Sequence, residues 1–346
     1  MAFTDEIKSS SKNRYKESPK GEKKTFKESF IPSKGDSKGE LARKYGVLAA
    51  VAVLVVCIVI LIGEIIAIIQ ENNIRDKVVF IYQPDTVNTF SNETVTQINE
   101  DTGEVEVVYP PLQIMSEAQE LIDINPDTVG YIYIPNTGIN SAVVQTDNND
   151  YYLDHNFYGN KAQCGTVFAD FRSTINSYDQ SDHIVLYGHN QKNGTMFGDM
   201  DYYRWNLEYY KSNPVITFNT NCFTAKYKIF ANFVTNVLPE HDDGNVFNYA
   251  DYIELDDPNT FKVFMDNVMV RTLIFTGVDV QYGDKILTLS TCSTEFEPSR
   301  HIIMARKIRE GEDETVDTSK FEINPNPKWP EIYQRYTGSH YIDPNQ

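Results

Sequence analysis

Apolar residues fall along the chain in two regimes. One is a single unbroken block: residues 47–63 are all apolar or small, and after Glu64 the run resumes over 65–69. About 20 apolar residues span a bilayer core as a helix, so the block predicts a transmembrane helix over 45–69. It is too long for the apolar part of a signal peptide, begins some way into the chain, and is followed by no small-residue cleavage pattern. Arg43 and Lys44 abut it, with Lys38 and Lys34 behind. The positive-inside rule then puts residues 1–44 in the cytoplasm as a Lys/Ser/Glu-rich disordered tail, and residues 70–346 outside the cell.

In the second regime, short apolar runs alternate with Asn, Asp, Gly and Pro. Residues 70–112 read as an extracellular stalk, polar and rich in Thr and Asn between 88 and 106. Ser116 to Gln119 fits a capping box opening a short helix that ends at Asn125 and Pro126. Strands are expected at 131–134, 142–145, 165–169, 184–187, 215–218, 227–234, 286–291 and 302–308. Two helices interrupt them. One is an amphipathic helix over 198–210. The other opens at Asp257 and Pro258, with Phe261, Phe264, Met265, Val268 and Met269 on one face. Many short, closely spaced strands predict a mostly β fold, a closed barrel or a sandwich. The body spans 113–310, and 311–346 is a C-terminal extension.

Charge removes one class of function. The chain has a net charge of −18, but residues 1–44 hold 12 Lys/Arg against 7 Asp/Glu, while residues 70–346 hold 19 against 41. A domain that acidic is a poor partner for nucleic acid. Four cysteines occur, Cys57, Cys164, Cys222 and Cys292. None forms a C-x-x-C pair, so neither a zinc site nor a thioredoxin-like motif is present. Cys57 lies in the apolar block. Of the remaining three, at least one is free or pairs between chains.

The candidate chemistry gathers late in the chain. In the strand ending Leu287, Thr288, Leu289, Ser290, Thr291, Cys292, alternation points Leu287 and Leu289 to the core. Thr288, Ser290 and Cys292 then face a groove or solvent. Arg300 heads the next strand. If the two strands pair, it returns beside Cys292, where a permanently charged guanidinium can favour a thiolate and donate to an oxyanion. His189 follows a strand and Gly188, so its imidazole sits on a loop over the sheet and can exchange protons with a nucleophile. The other histidines have weaker contexts.

Thr288 to Cys292 resembles the T-L-x-T-C nucleophile motif of sortases, and His189, Cys292 and Arg300 stand in that family's order. Tyr187 to Asn190 followed by Gly194 to Phe197, Asn149 to Leu153 read as N-x-x-Y-L, and a helix over 258–272 resemble the class B branch. The resemblance covers roughly 122–308. It implies an eight-stranded sortase-type β-barrel with added helices, preceded by one transmembrane helix. It also implies a cysteine transpeptidase with thiol-protease chemistry: Cys292 attacks the carbonyl after a Thr in a C-terminal sorting signal, Arg300 steadies the oxyanion, and His189 moves the proton. The partners implied are surface proteins bearing that signal and a peptidoglycan amine. Asn149, Leu153 and Ser290 would line the peptide groove. No cofactor or metal is expected, because the calcium-binding acids of class A sortases cannot be placed here.

Two other readings fit less well. An L,D-transpeptidase-like peptidoglycan enzyme puts Gly before its cysteine and Arg close after it, whereas here Thr291 precedes Cys292 and the Arg lies farther on. A non-catalytic sortase-like surface binding domain differs by thiol reactivity, and an adhesin would carry its own sorting signal, which 321–346 lacks.

Overall fold

The computed structural model describes residues 25–83, 95–98 and 105–338. Most of the expected stalk segment 88–106 and the first part of the tail lie outside these. The chain divides into two units, Met1–Ala67 and Ile68–Gln346.

The first unit holds a short helix α1 (Phe26–Phe30), capped by the Thr25 hydroxyl, within the segment read as a disordered tail. It also holds the start of the long helix α2 (Lys38–Tyr82). Lys44 is buried against Asp36, with Nζ 2.8 Å from a carboxylate oxygen. The apolar block of α2 is exposed on all sides, and among the described residues α2 is the helix long and apolar enough to cross a membrane. It does not stop at 69. Its last turns belong to the second unit, where Val78 and Tyr82 are buried and the Tyr82 ring stacks on Tyr131 at 4.1 Å. The start of the expected stalk is therefore helix packed on the body.

Beyond α2 come a two-stranded ribbon, β1 (Val95–Ile98) with β2 (Val105–Val108), and helix α3 (Ser116–Ile124). No capping box opens α3. Its N-cap is the buried Met115, whose N–H donates to Asn221 O at 2.9 Å, and the Ser116 hydroxyl bonds Glu117 instead.

The centre of the unit is a closed barrel. Its strands are β3 (Thr128–Tyr133), β4 (Asn140–Val144), β5 (Phe168–Ala169), β6 (His183–Tyr187), β7 (Val215–Thr220), β8 (Lys226–Asn236), β10 (Ile286–Cys292) and β11 (Ser299–Lys307). They close in the order β10, β11, β8, β7, β3, β4, β5, β6, with β6 parallel to β10. All eight expected strands are present. A short strand β9 (Ile274–Phe275) lies outside the barrel and pairs with β12 (Glu322–Ile323).

Side-chain alternation along β10 divides two cores. Leu287 and Leu289 join Ile184, Leu186, Ile303 and Ala305 inside the barrel. Ile286 joins Val185, Ile302 and Met304 in a second core outside the wall, covered by residues 247–269. Helix α5 (Pro258–Met269) begins where expected: Asp257 Oδ1 accepts from Asn259 N at 2.8 Å and from Thr260 N at 3.1 Å, and Pro258 needs no partner for its nitrogen. Phe261, Phe264 and Val268 are buried, while Met269 lies at the exposed end, short of the expected 272.

The expected helix over 198–210 is two pieces. A 3₁₀ turn (Gly198–Tyr203) stops, and α4 (Leu207–Ser212) begins afresh because the Asn206 side chain caps it, accepting from Tyr209 N at 3.0 Å. The C-terminal extension is packed down. Phe321 and Trp329 are buried in the barrel core, and a last helix α6 (Glu331–Thr337) follows.

Candidate active site

The polar face of β10 is mostly not a groove. Thr288 and Ser290 are buried beneath the second core, and each hydroxyl is satisfied there. Thr288 Oγ1 lies 2.6 Å from His183 Nε2, and Ser290 Oγ lies 2.7 Å from Tyr249 Oη. Strand alternation alone would turn this face toward a groove or solvent. The cover contributed by residues 247–269 reverses that for all but the last residue, Cys292, which is exposed.

Arg300 meets Cys292 by simple strand geometry. β10 and β11 are antiparallel with Cys292 opposite Arg300, and Arg300 Nη1 stands 3.5 Å from Sγ. The connection between them contains a cis Glu297–Pro298 peptide.

His189 arrives from the other side. Because β6 runs parallel to β10, with Tyr187 opposite Ser290, both chains leave the sheet at the same end. Gly188 N donates to Ser290 O at 3.2 Å, and Thr291 Oγ1 donates to Gly188 O at 2.7 Å. His189 and Cys292 therefore emerge side by side from neighbouring strands. The imidazole Nε2 lies 2.8 Å from Leu153 O. A carbonyl can only accept, so this nitrogen carries the proton and the neutral ring keeps its lone pair on Nδ1. Among the described residues His189 makes no hydrogen bond to the thiol. Its bond to Leu153 fixes the ring beside it.

Leu153 itself is 44% exposed, on a 3₁₀ turn (Tyr151–Leu153). Asn149 is tied into the protein. Its carboxamide donates to Asp170 Oδ2 at 3.1 Å and accepts from Phe171 N at 3.0 Å. Asp170 is a hub that the sequence reading missed. It also accepts from Tyr187 Oη at 2.9 Å and from the Arg172 guanidinium at 2.8 and 2.9 Å. Burial pushes its carboxyl up, but the bonds from Arg172, Tyr187 and Asn149 outweigh that and leave it below the usual range. Arg172 reaches on to Asp251 at 3.0 Å. The 149–153 turn, β6 and the segment carrying Tyr249 are thus held in one polar network beside the thiol. Burial pushes the Tyr249 phenol up, so it stays protonated and can donate to Ser290.

A second missed group is Asn190. Its Nδ2 donates to Cys292 O and to Asp201 Oδ1, both at 3.1 Å. The residue stood within the Tyr187 to Asn190 motif, but a carboxamide's partners cannot be read from the motif alone.

Among the described residues the remaining cysteines form no disulfide. Burial raises the thiols of Cys164 and Cys222, which fits structural roles. Of the three sequence-derived groove residues, Leu153 faces solvent, Asn149 serves the network, and Ser290 lies beneath the surface.

Comparison with known proteins agrees with this geometry. The Sortase domain family model matches residues 132–308. Sortase B of Listeria monocytogenes is 30% identical over 200 residues, which is 57% of this chain and 76% of that protein. Sortase B of Staphylococcus aureus is 26% identical over 196 residues, 56% of this chain and 75% of its own. Among solved structures, sortase B from Bacillus anthracis in complex with AAEK1 aligns with a TM-score of 0.55 at 22% identity, covering 71% of this chain and 100% of that one. A Staphylococcus aureus sortase B–substrate complex aligns at 0.50 and 24% identity, covering 57% and 88%. An eight-stranded closed barrel with added helices, matched over residues 132–308 by that family model, makes this chain a member of the sortase family, similar to its class B sortases.

Proposed function

We propose that the chain is a membrane-anchored cysteine transpeptidase in which Cys292 is the nucleophile, Arg300 the charge stabiliser and His189 the proton carrier. The observation that supports this most directly is an exposed thiol 3.5 Å from a guanidinium at the open end of the barrel, with an imidazole leaving the neighbouring parallel strand beside it.

The chemistry follows from those groups. Nδ1 of His189 takes the Cys292 thiol proton as the sulfur attacks the carbonyl carbon after Thr in a sorting signal, and the C=O electron pair moves onto oxygen. Arg300 donates hydrogen bonds to that oxyanion. The C–N bond then breaks, and His189 gives a proton to the departing amine, leaving a thioester on Cys292. An amine of the peptidoglycan attacks the thioester and His189 takes up its proton; the C–S bond then breaks, leaving a new amide, and His189 passes that proton to the departing Cys292 sulfur. Because Nε2 is held by Leu153 O, Nδ1 is the nitrogen free for this exchange.

Residues 1–44 lie in the cytoplasm in this reading. The apolar part of α2 crosses the membrane, and the barrel stands outside, where sorting-signal proteins and wall precursors meet. Leu153, exposed beside His189, contacts the peptide.

The test is a library of sorting-signal peptides presented with amine acceptors, together with Cys292→Ala and Arg300→Ala proteins. Wild type should cleave a subset after Thr, form a hydroxylamine-sensitive acyl adduct on Cys292, and join the acyl group to the amine. Cleavage by Cys292→Ala at the wild-type rate would end the assignment.

A further inference from the structure

The geometry points to Arg204 as a positioning residue that locks the spacing of Cys292, Arg300 and His189 through the ion pair it makes with Glu295. This rests on the assignment of those three residues given above.

Cys292 ends β10 and Arg300 opens β11, so residues 293–299 set how far apart thiol and guanidinium stand. That connection is anchored inward. The Ser293 and Glu295 side chains turn toward Arg204, which is 9% exposed. Arg204 Nη1 donates to Ser293 Oγ at 3.1 Å and to the Glu295 carboxylate, and Ser293 Oγ donates to the same carboxylate. Ser293 N donates to Ser299 O at 3.1 Å, which closes the base of the loop.

Arg204 also faces the other way. Its Nη2 is 3.3 Å from Asp201 Oδ1. That oxygen accepts from Asn190 Nδ2, and the same Nδ2 donates to Cys292 O. Contacts therefore run from Glu295 through Arg204, Asp201 and Asn190 back to the nucleophile's own carbonyl. Asn190 directly follows His189. One guanidinium thus bridges the connection that carries Arg300 and the strand end that carries His189, with Cys292 at the closure.

The bridge is braced from behind. Trp205, next to Arg204, stacks on Trp329 at 5.7 Å, and Trp329 stacks on Tyr333 at 3.9 Å. Trp329 and Tyr333 lie in the C-terminal extension, beyond the 132–308 match to the sortase domain. A buried Arg–carboxylate pair is weak evidence for added stability, since desolvating both groups offsets much of their attraction. Fixing one geometry among several is the better-attested use of such a pair. A lysine cannot reproduce a guanidinium fork that reaches two partners on opposite sides.

The experiment uses the full-length protein in detergent with Glu295→Gln, Arg204→Lys and the double variant. It measures peptide-cleavage kcat and KM separately, and hydrogen exchange of the 292–300 amides. Misplacing a reacting group by about 1 Å can lower rate on the order of a hundredfold, so each single variant should lose roughly ten- to a hundredfold in kcat with KM within about twofold. The double variant should lose no more than the worse single, because both break one bridge. Exchange should quicken at 292–300 and stay unchanged in the middle of β10. Wild-type kcat in Glu295→Gln, or a loss confined to KM, would overturn the proposal. If Arg204→Lys does not fold, Glu295→Gln carries the test alone, since it keeps the side chain's shape. If wild type cleaves no sorting peptide, the functional reading fails. The bridge is then judged by exchange, and unchanged 292–300 amides in Glu295→Gln reject it too.

Discussion

Acid should weaken this fold before its carboxylates titrate, and His183 is the reason. It is fully buried at the start of β6. Nδ1 lies 3.0 Å from Tyr252 O, so it must carry the proton, and Nε2 lies 2.6 Å from Thr288 Oγ1, which donates to it. The neutral ring satisfies both partners. A second proton would meet the Thr288 hydroxyl head-on and place a charge in the core. Burial accordingly pushes this imidazole down to about 4 from 6.5. Below pH 6.5 the unfolded chain binds a proton at this position and the folded chain does not, so stability rises with pH there and is lost as pH falls from 6.5 towards 4. With those two values, going from pH 7 to pH 5 removes about 2 kcal/mol. His301 is also fully buried and its imidazole is likewise held well below its usual value, by burial and then by the Arg204 charge. It adds a loss of the same sign. The assay is urea unfolding of the fragment Ile68–Gln346 at several pH values, for wild type and for His183→Gln, whose amide can serve both partners without titrating. The variant should lose about 2 kcal/mol less than wild type over that span. Equal losses in the two proteins would refute the reasoning.

Other substitutions probe the packing that presents the site. Phe264→Ala empties a fully buried position under α5 and should destabilise by about 3–5 kcal/mol in urea unfolding. Asp257→Ala removes an N-cap that accepts two backbone N–H groups, and should lower stability by about 1 kcal/mol in the same assay. Tyr249→Phe leaves the buried Ser290 hydroxyl without its partner, which should cost about 1–3 kcal/mol and raise hydrogen exchange around Ser290.

What the sequence made legible is what depends on short-range geometry. Cys292 and Arg300 meet because two consecutive strands fold back on each other, and one connection sets that register. The strands were legible because each is a short apolar run with turn residues on both sides, but that pattern fits a sandwich as well as a barrel, and closure was implied only by the sortase resemblance. His189 is a different case. Its approach to Cys292 depends on β6 lying parallel to β10, a pairing between distant segments that no local pattern encodes. The buried hydroxyls of Thr288 and Ser290 were misplaced for the same reason, since His183 and Tyr249, which satisfy them, come from elsewhere in the chain. The extra turns of α2 did leave a trace. Ile74, Val78, Ile81 and Tyr82 recur at helical spacing and form the face that packs on the body, within the segment read as the start of the stalk.

The outward face of β10 shows why the proposed nucleophile stands where it does. Along it come Ile286, Thr288, Ser290 and Cys292, and the cover over them thins step by step. Ile286 lies among aromatic and aliphatic side chains, Thr288 and Ser290 each meet one polar partner, and Cys292 meets solvent and Arg300. A cysteine two residues earlier would lie under Tyr249, away from the guanidinium. Burial raises a thiol, as it does at Cys164 and Cys222, and so suppresses the thiolate that the proposed mechanism needs. A cysteine on a free loop beyond the strand would gain water but lose the register that sets it opposite Arg300. The last residue of the strand is the position that combines solvent access with fixed spacing to a cation, and the hairpin that supplies both is the one Arg204 holds from behind.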